Sequence, residues 1–179
     1  MNLTNLTFGN IFNKKIEPNT LPKNLTTLTF GIHFNQKIEP NTLSDTLTTL
    51  VFGHCFNQKI LPNTLPENLS TLIFGWRFDQ KIEPNSLPEN LSNITFEQCF
   101  NQKIEDILYK VKYINFDFRT YINHLKLFIN KINNIPKYFN VKVYVNNNIF
   151  ANNESKWPIH VVDYNESKWS SDIYKIIDK

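Results

Sequence analysis

Leucine and phenylalanine recur at a constant step along residues 3–105. Phe12, Phe34, Phe56, Phe78 and Phe100 stand 22 residues apart, and an ungapped fixed period that short is the signature of a solenoid. Leu3, Leu25, Leu47, Leu69 and Leu91 open the copies, followed by Leu6, Leu28, Leu50, Leu72 and Ile94 and, two residues on, by Phe8, Phe30, Phe52, Phe74 and Phe96. Leu28-Thr29-Phe30 alternates in, out and in, the period of a strand with one buried face. A second apolar set, Phe34 and Ile38 with their equivalents, surrounds an Asn-Gln-Lys linker, and Leu21, Leu43, Leu65 and Leu87 close the unit. One copy cannot bury its own apolar face, so stacked copies must share a continuous core.

Prolines at Pro18, Pro40, Pro62 and Pro84, and again at the Leu-Pro steps of Pro22, Pro66 and Pro88, rule out a long helix within the repeat. Gly9, Gly31, Gly53 and Gly75 directly follow the strand, where a left-handed or crowded backbone is expected; Glu97 takes that place in the last copy. The expected fold is mainly β, a parallel β-solenoid of about five repeats over residues 1–105, with residues 106–179 as a degenerate rung and mixed α/β C-terminal cap. Val111-Lys-Tyr-Ile114-Asn-Phe116 repeats the strand pattern after 20 residues instead of 22. Tyr121, Ile122, Leu125, Phe128, Ile129 and Ile132 read as an amphipathic helix, and Phe139 to Val145 alternates as a strand. A duplicated Asn-Glu-Ser-Lys-Trp, ending at Trp157 and Trp169, flanks a short edge strand at Ile159–Val162. Its tryptophans are read as folding onto the last rungs in preference to acting as exposed anchors.

The pattern L-x-x-L-x-F-G-x-x-F-N-Q-x-I-x-P-x-x-L-P over residues 3–105 resembles the FNIP (IP22) repeat of social amoebae and giant DNA viruses of amoebae. That resemblance implies a leucine-rich-repeat-like parallel solenoid. Members often carry an F-box ahead of the repeats; here the first repeat already stands at residue 3, and no ubiquitin-ligase role is expected.

Composition narrows the function more by exclusion than by assignment. The net charge is +3, with 8 basic and 9 acidic side chains in residues 1–105 (−1) and 11 and 7 in residues 106–179 (+4). Neither half carries the basic footprint that nucleic-acid binding needs. No signal sequence or membrane span is visible, and two thiols without a plausible bridge suit a cytoplasmic setting, the host cytoplasm if the chain is viral. Cys55 and Cys99 occupy one repeat position two copies apart, about 9–10 Å at ordinary strand spacing, which is too far for a disulfide. The sequons at Asn24, Asn68, Asn90, Asn153 and Asn165 are then by-products of composition.

No phosphate loop, nucleophile motif or metal quartet is present. His33, His54, Cys55 and Cys99 lack the paired spacing of zinc ligands. No cofactor is expected, and the chain reads as a non-enzymatic protein–protein interaction scaffold. Its candidate binding residues are those that vary between copies: the outward strand column of Thr29, Val51 and Ile73, and the pair after the strand, with His33, His54, Trp76 and Arg77 as leading positions. Asn13, Asn35, Asn57 and Asn101, with Asp79 between the last two, form a column read first as a structural asparagine ladder. The alternative makes this column the substrate of a host or viral asparaginyl hydroxylase. Lys37 and Glu39, with their equivalents, read as a neutralised, solvated lattice.

Overall fold

The computed structural model describes residues 3–97, 99–102 and 111, together with the backbone of three later strands. Eight strands form one sheet in chain order: β1 Asn5–Thr7, β2 Thr27–Thr29, β3 Thr49–Val51, β4 Thr71–Ile73, β5 Asn93–Glu97, β6 Tyr113–Phe118, β7 Asn140–Val145 and β8 His160–Asp163. Pairing is parallel from β1 to β7, and β8 returns antiparallel to β7. The register follows the repeat, with Leu6, Leu28, Leu50, Leu72 and Ile94 opposite one another. Ile94 then faces Ile114 and Phe96 faces Phe116, so the shortened copy still aligns with the sheet. The chain is a leucine-rich-repeat-like parallel β-solenoid. The expected helix at 121–132, the Lys103/Glu105 pair and both Asn-Glu-Ser-Lys-Trp segments lie outside the described residues. No helix among the described residues is long and apolar enough to cross a membrane.

Three β-turns bend each rung back to its start. The first runs from Gly to Phe, as in Phe34 N–H to Gly31 O (3.3 Å) and Phe56 N–H to Gly53 O (3.2 Å). In the second, Thr42 N–H reaches Glu39 O at 3.2 Å across Pro40-Asn41. Asn19, Asn41 and Asn63 have φ of 62°, 63° and 61°, which with the preceding proline defines a type II turn. Asparagine tolerates this left-handed region better than most side chains. The fourth copy differs, tightening into a 3₁₀ turn over Pro84–Ser86. The third turn joins Leu25 N–H to Pro22 O and Leu69 N–H to Pro66 O.

The left-handed residues are therefore asparagines, while the glycines answer to crowding. No glycine has positive φ. A Cβ on Gly31, Gly53 or Gly75 would collide with the carbonyl of the glycine one rung earlier, whereas nothing lies within 4 Å of such an atom on Gly9. Where Glu97 replaces the glycine, the strand runs on to five residues and Glu97 pairs in register with Asp117.

Two phenylalanine stacks fill the core. Phe8, Phe30, Phe52, Phe74 and Phe96 repeat at 5.5–5.6 Å between ring centroids. The stack of Phe12, Phe34, Phe56, Phe78 and Phe100 repeats at 6.0–6.2 Å. Within a rung the two rings face each other at 3.7–4.1 Å. Nearly parallel, stacked rings at these distances add to the burial of some of the largest apolar side chains.

Candidate functional site

The residue pairs that vary between copies sit at the corners of the Gly-to-Phe turn, where the fold asks only for backbone. Each corner is tied to the rung before it: His33 N–H donates to Asn10 O, Cys55 to Ile32 O, Arg77 to His54 O and Cys99 to Trp76 O, all at 2.9–3.0 Å. Side-chain identity is thereby released from folding, and His33, His54 and Arg77 are exposed. Trp76 is half-buried and stacks on His54 with centroids 4.9 Å apart. Its indole also hydrogen-bonds the Cys99 thiol. Burial pushes that thiol above its ordinary pKa, and the nearby Asp79 carboxylate pushes the same way; the indole bond and Arg77 oppose them. Cys99 therefore stays a neutral thiol at physiological pH, unsuited to nucleophilic work. Cys55 and Cys99 are both free.

Thr29, Val51 and Ile73 lie half-buried on the outward face of β2, β3 and β4. Three residues further along each rung the corner begins, so strand face and corners form one edge of the solenoid. From Thr7 and Asn10 to Trp76 and Arg77 the described residues of these columns include no carboxylate.

The asparagine column lies after the corner and is a continuous ladder. Asn13 Oδ1 accepts from Asn35 N–H (2.9 Å) and from Gln36 Nε2 (3.0 Å). Asn35 Oδ1 does the same for Asn57 and Gln58, and Asn57 Oδ1 for Asp79 and Gln80. Asp79 continues the pattern, accepting from Asn101 N–H at 2.7 Å and Gln102 Nε2 at 2.9 Å. The Asn-Gln pair is thus one device: the glutamine of each rung donates to the asparagine of the rung before. The sequence reading missed that glutamine role, although the signal was there, since Lys14 replaces glutamine in the first copy. Replacing Asn35 by alanine removes the acceptor for two donors and is expected to cost about 2 kcal/mol. Asn35→Asp, which keeps the oxygen as Asp79 does, is expected to stay within about 1 kcal/mol. Urea denaturation of the two variants separates these outcomes.

Two further ladders also escaped the sequence reading. Thr26, Thr48, Ser70 and Ser92 each donate a hydroxyl to the backbone carbonyl 22 residues earlier, at 3.1 Å. Asn68 and Asn90 donate their amides to Asp45 O and Glu67 O at 2.8 Å, so these two sequon asparagines serve the fold. Lys15, Lys37 and Lys81 pair with Glu17, Glu39 and Glu83 at 3.2–3.3 Å. These segments run outside any strand, with Ile16, Ile38 and Ile82 buried between the paired charges.

Comparison with known proteins agrees with this architecture. CroV588, a circular leucine-rich-repeat protein of a giant virus, has a crystal structure similar to this chain, with 39% identity and a TM-score of 0.65. The match covers 80% of this chain and 20% of CroV588, so the chain spans about a fifth of that protein's length. No curated protein matches. The FNIP repeat profile matches residues 1–33, 34–77, 56–99 and 78–118, and the chain belongs to the FNIP repeat family.

Proposed function

We propose that this FNIP-repeat solenoid is a non-enzymatic interaction scaffold that binds a protein through the edge formed by Thr29, Val51 and Ile73 with His33, His54, Trp76 and Arg77. The observation that carries this reading is the division of labour within the turn. The same backbone bond ties each corner to the rung before it whatever its side chains, leaving them free to differ from rung to rung on a regular scaffold. Trp76, ordered by His54 and Cys99, is a rigid aromatic anchor beside an exposed guanidinium, a combination enriched where interface energy concentrates. With a guanidinium and two imidazoles in its columns, and the Asp79 carboxylate close to the Arg77 corner, the edge presents polar groups that a partner's charged side chains can complement.

The test is affinity purification of the tagged chain from its native cytoplasm, with identification of the bound protein and titration against the purified component. Trp76→Ala with Arg77→Ala is expected to weaken that complex at least tenfold, about 1.4 kcal/mol or more. Lys15→Ala, on a different part of the rung, is expected to leave it unchanged. Equal loss in both variants, or in neither, would remove this edge from consideration. The second reading, hydroxylation of the asparagine column, draws on the exposure of Asn13 and Asn101, against half-buried Asn35 and Asn57. An added oxygen on these asparagines in the native protein, with no saturable partner, would favour it.

A further inference from the structure

The backbone bonds that hold the corners run diagonally. The second residue of each pair is bonded to the first residue of the rung before: His33 to Asn10, Cys55 to Ile32, Arg77 to His54 and Cys99 to Trp76. Residues that meet across a corner are therefore 23 positions apart, and each pair within one turn belongs to two different diagonals. Among the described residues only the last diagonal adds a side-chain bond to the backbone one, from the Trp76 indole to the Cys99 thiol. Cys55 supplies the contrast. It holds the same repeat position two copies earlier, but it meets Ile32, whose side chain has no polar atom to offer.

Trp76 is thereby held from two sides. His54 stacks against its ring, with centroids 4.9 Å apart and an interplanar angle of 25°. Cys99 is tied to Trp76 twice, by its N–H to the Trp76 carbonyl at 3.0 Å and by its thiol to the indole. An indole N–H can only donate, and it is the one polar atom of the side chain. With that donor already engaged, what half-buried Trp76 turns outward is hydrocarbon.

We propose that Cys99 is a positioning residue for the Trp76 anchor, so that the edge presents an oriented ring which a partner meets with an apolar side chain and not with a hydrogen-bond acceptor. This rests on the binding edge described above and adds to it a residue outside the corner positions named there. A ring held in one orientation beforehand loses less side-chain freedom when the partner arrives.

Exchange of the indole N–H in the full chain tests the positioning without any partner. In proton–nitrogen correlation spectra the Trp76 indole peak is the one lost in Trp76→Phe. Its exchange into heavy water is expected to quicken about tenfold or more in Cys99→Ala, while the amides of β2 to β4 keep their rates. Cys99→Ser, which keeps an acceptor, is expected to restore slow exchange, and Cys55→Ala to change nothing. An indole that exchanges no faster in Cys99→Ala would overturn the proposal. So would an acceleration shared equally by the β2 to β4 amides, since that marks a merely structural role.

Against the purified partner, Cys99→Ala is expected to weaken binding about threefold or more, with rescue by Cys99→Ser. Tighter binding by Cys99→Ala would mean that the freed indole N–H had found an acceptor on the partner, which overturns the apolar match. If Trp76→Ala with Arg77→Ala leaves the complex intact, the binding edge itself fails. If that pair weakens the complex while Cys99→Ala does not, the edge stands and the positioning role falls.

Discussion

Gly53→Ala is expected to lower the stability of the solenoid by about 3 kcal/mol or more, the upper range for overpacking, because neither neighbour can yield. The new methyl would be driven into the Gly31 carbonyl, with the Phe30 carbonyl 3.0 Å away. Both obstacles are backbone, fixed by the turn bond from Phe34 N–H to Gly31 O and by the ladder bond from Phe30 N–H to Val51 O at 2.8 Å. Relief requires separating two rungs and so loosening the stacks on both sides. At a few degrees per kcal/mol for a chain of this size, the melting temperature should fall by roughly 6–12 °C. Gly9→Ala is the matched control. With open space around it and no positive φ, the same substitution is expected to be neutral, or slightly stabilising through the unfolded chain. If thermal melts show equal losses at both positions, crowding is not what the glycine column serves.

Phe56→Ala is expected to cost about 3–5 kcal/mol. Phe56 is fully buried, lies 3.7 Å from the Phe52 ring, and is flanked in its stack by Phe34 at 6.2 Å and Phe78 at 6.1 Å. A solenoid is held by nearest-neighbour contacts, so a hole in the middle weakens the coupling between the rungs on each side. The urea transition of this variant should therefore shift and also broaden or split. Phe12→Ala, at the partly buried end of the same stack, should cost less than half as much and leave the transition single. A single sharp transition in both variants, with equal shifts, would contradict the one-dimensional coupling.

Much of this was written in the sequence because a repeat states each requirement several times over. The 22-residue step fixed the register of β1 to β5, since any slip would take Leu28 and Phe30 off the core side of their rung and leave them facing water. The leucine and phenylalanine columns named the core because stacking leaves an inward side chain no other environment. The asparagine column could be recognised as a ladder from its recurrence, but its geometry could not. Only the three-dimensional arrangement shows that the oxygen does the bonding, that the following glutamine is the second donor, and that aspartate at Asp79 can therefore stand in. The glycines and asparagines divide in the same way. Both residue types admit left-handed backbone, so composition could not say that Asn41 takes it while Gly53 is instead pressed against its neighbour.

The candidate binding residues were legible as variation between copies, because that signal needs no structure. Their arrangement was not. Trp76 stacks on His54, its own counterpart 22 residues earlier, and meets Cys99 23 residues later, the second through an offset of one position between stacked turns that no pattern in a single copy contains. Sequence determined the rung, its period and its buried columns, because those follow from which side chains must leave water. Tertiary structure alone decided which backbone approaches which, and so what each polar or glycine column is for, because those contacts exist only once one rung lies on the next.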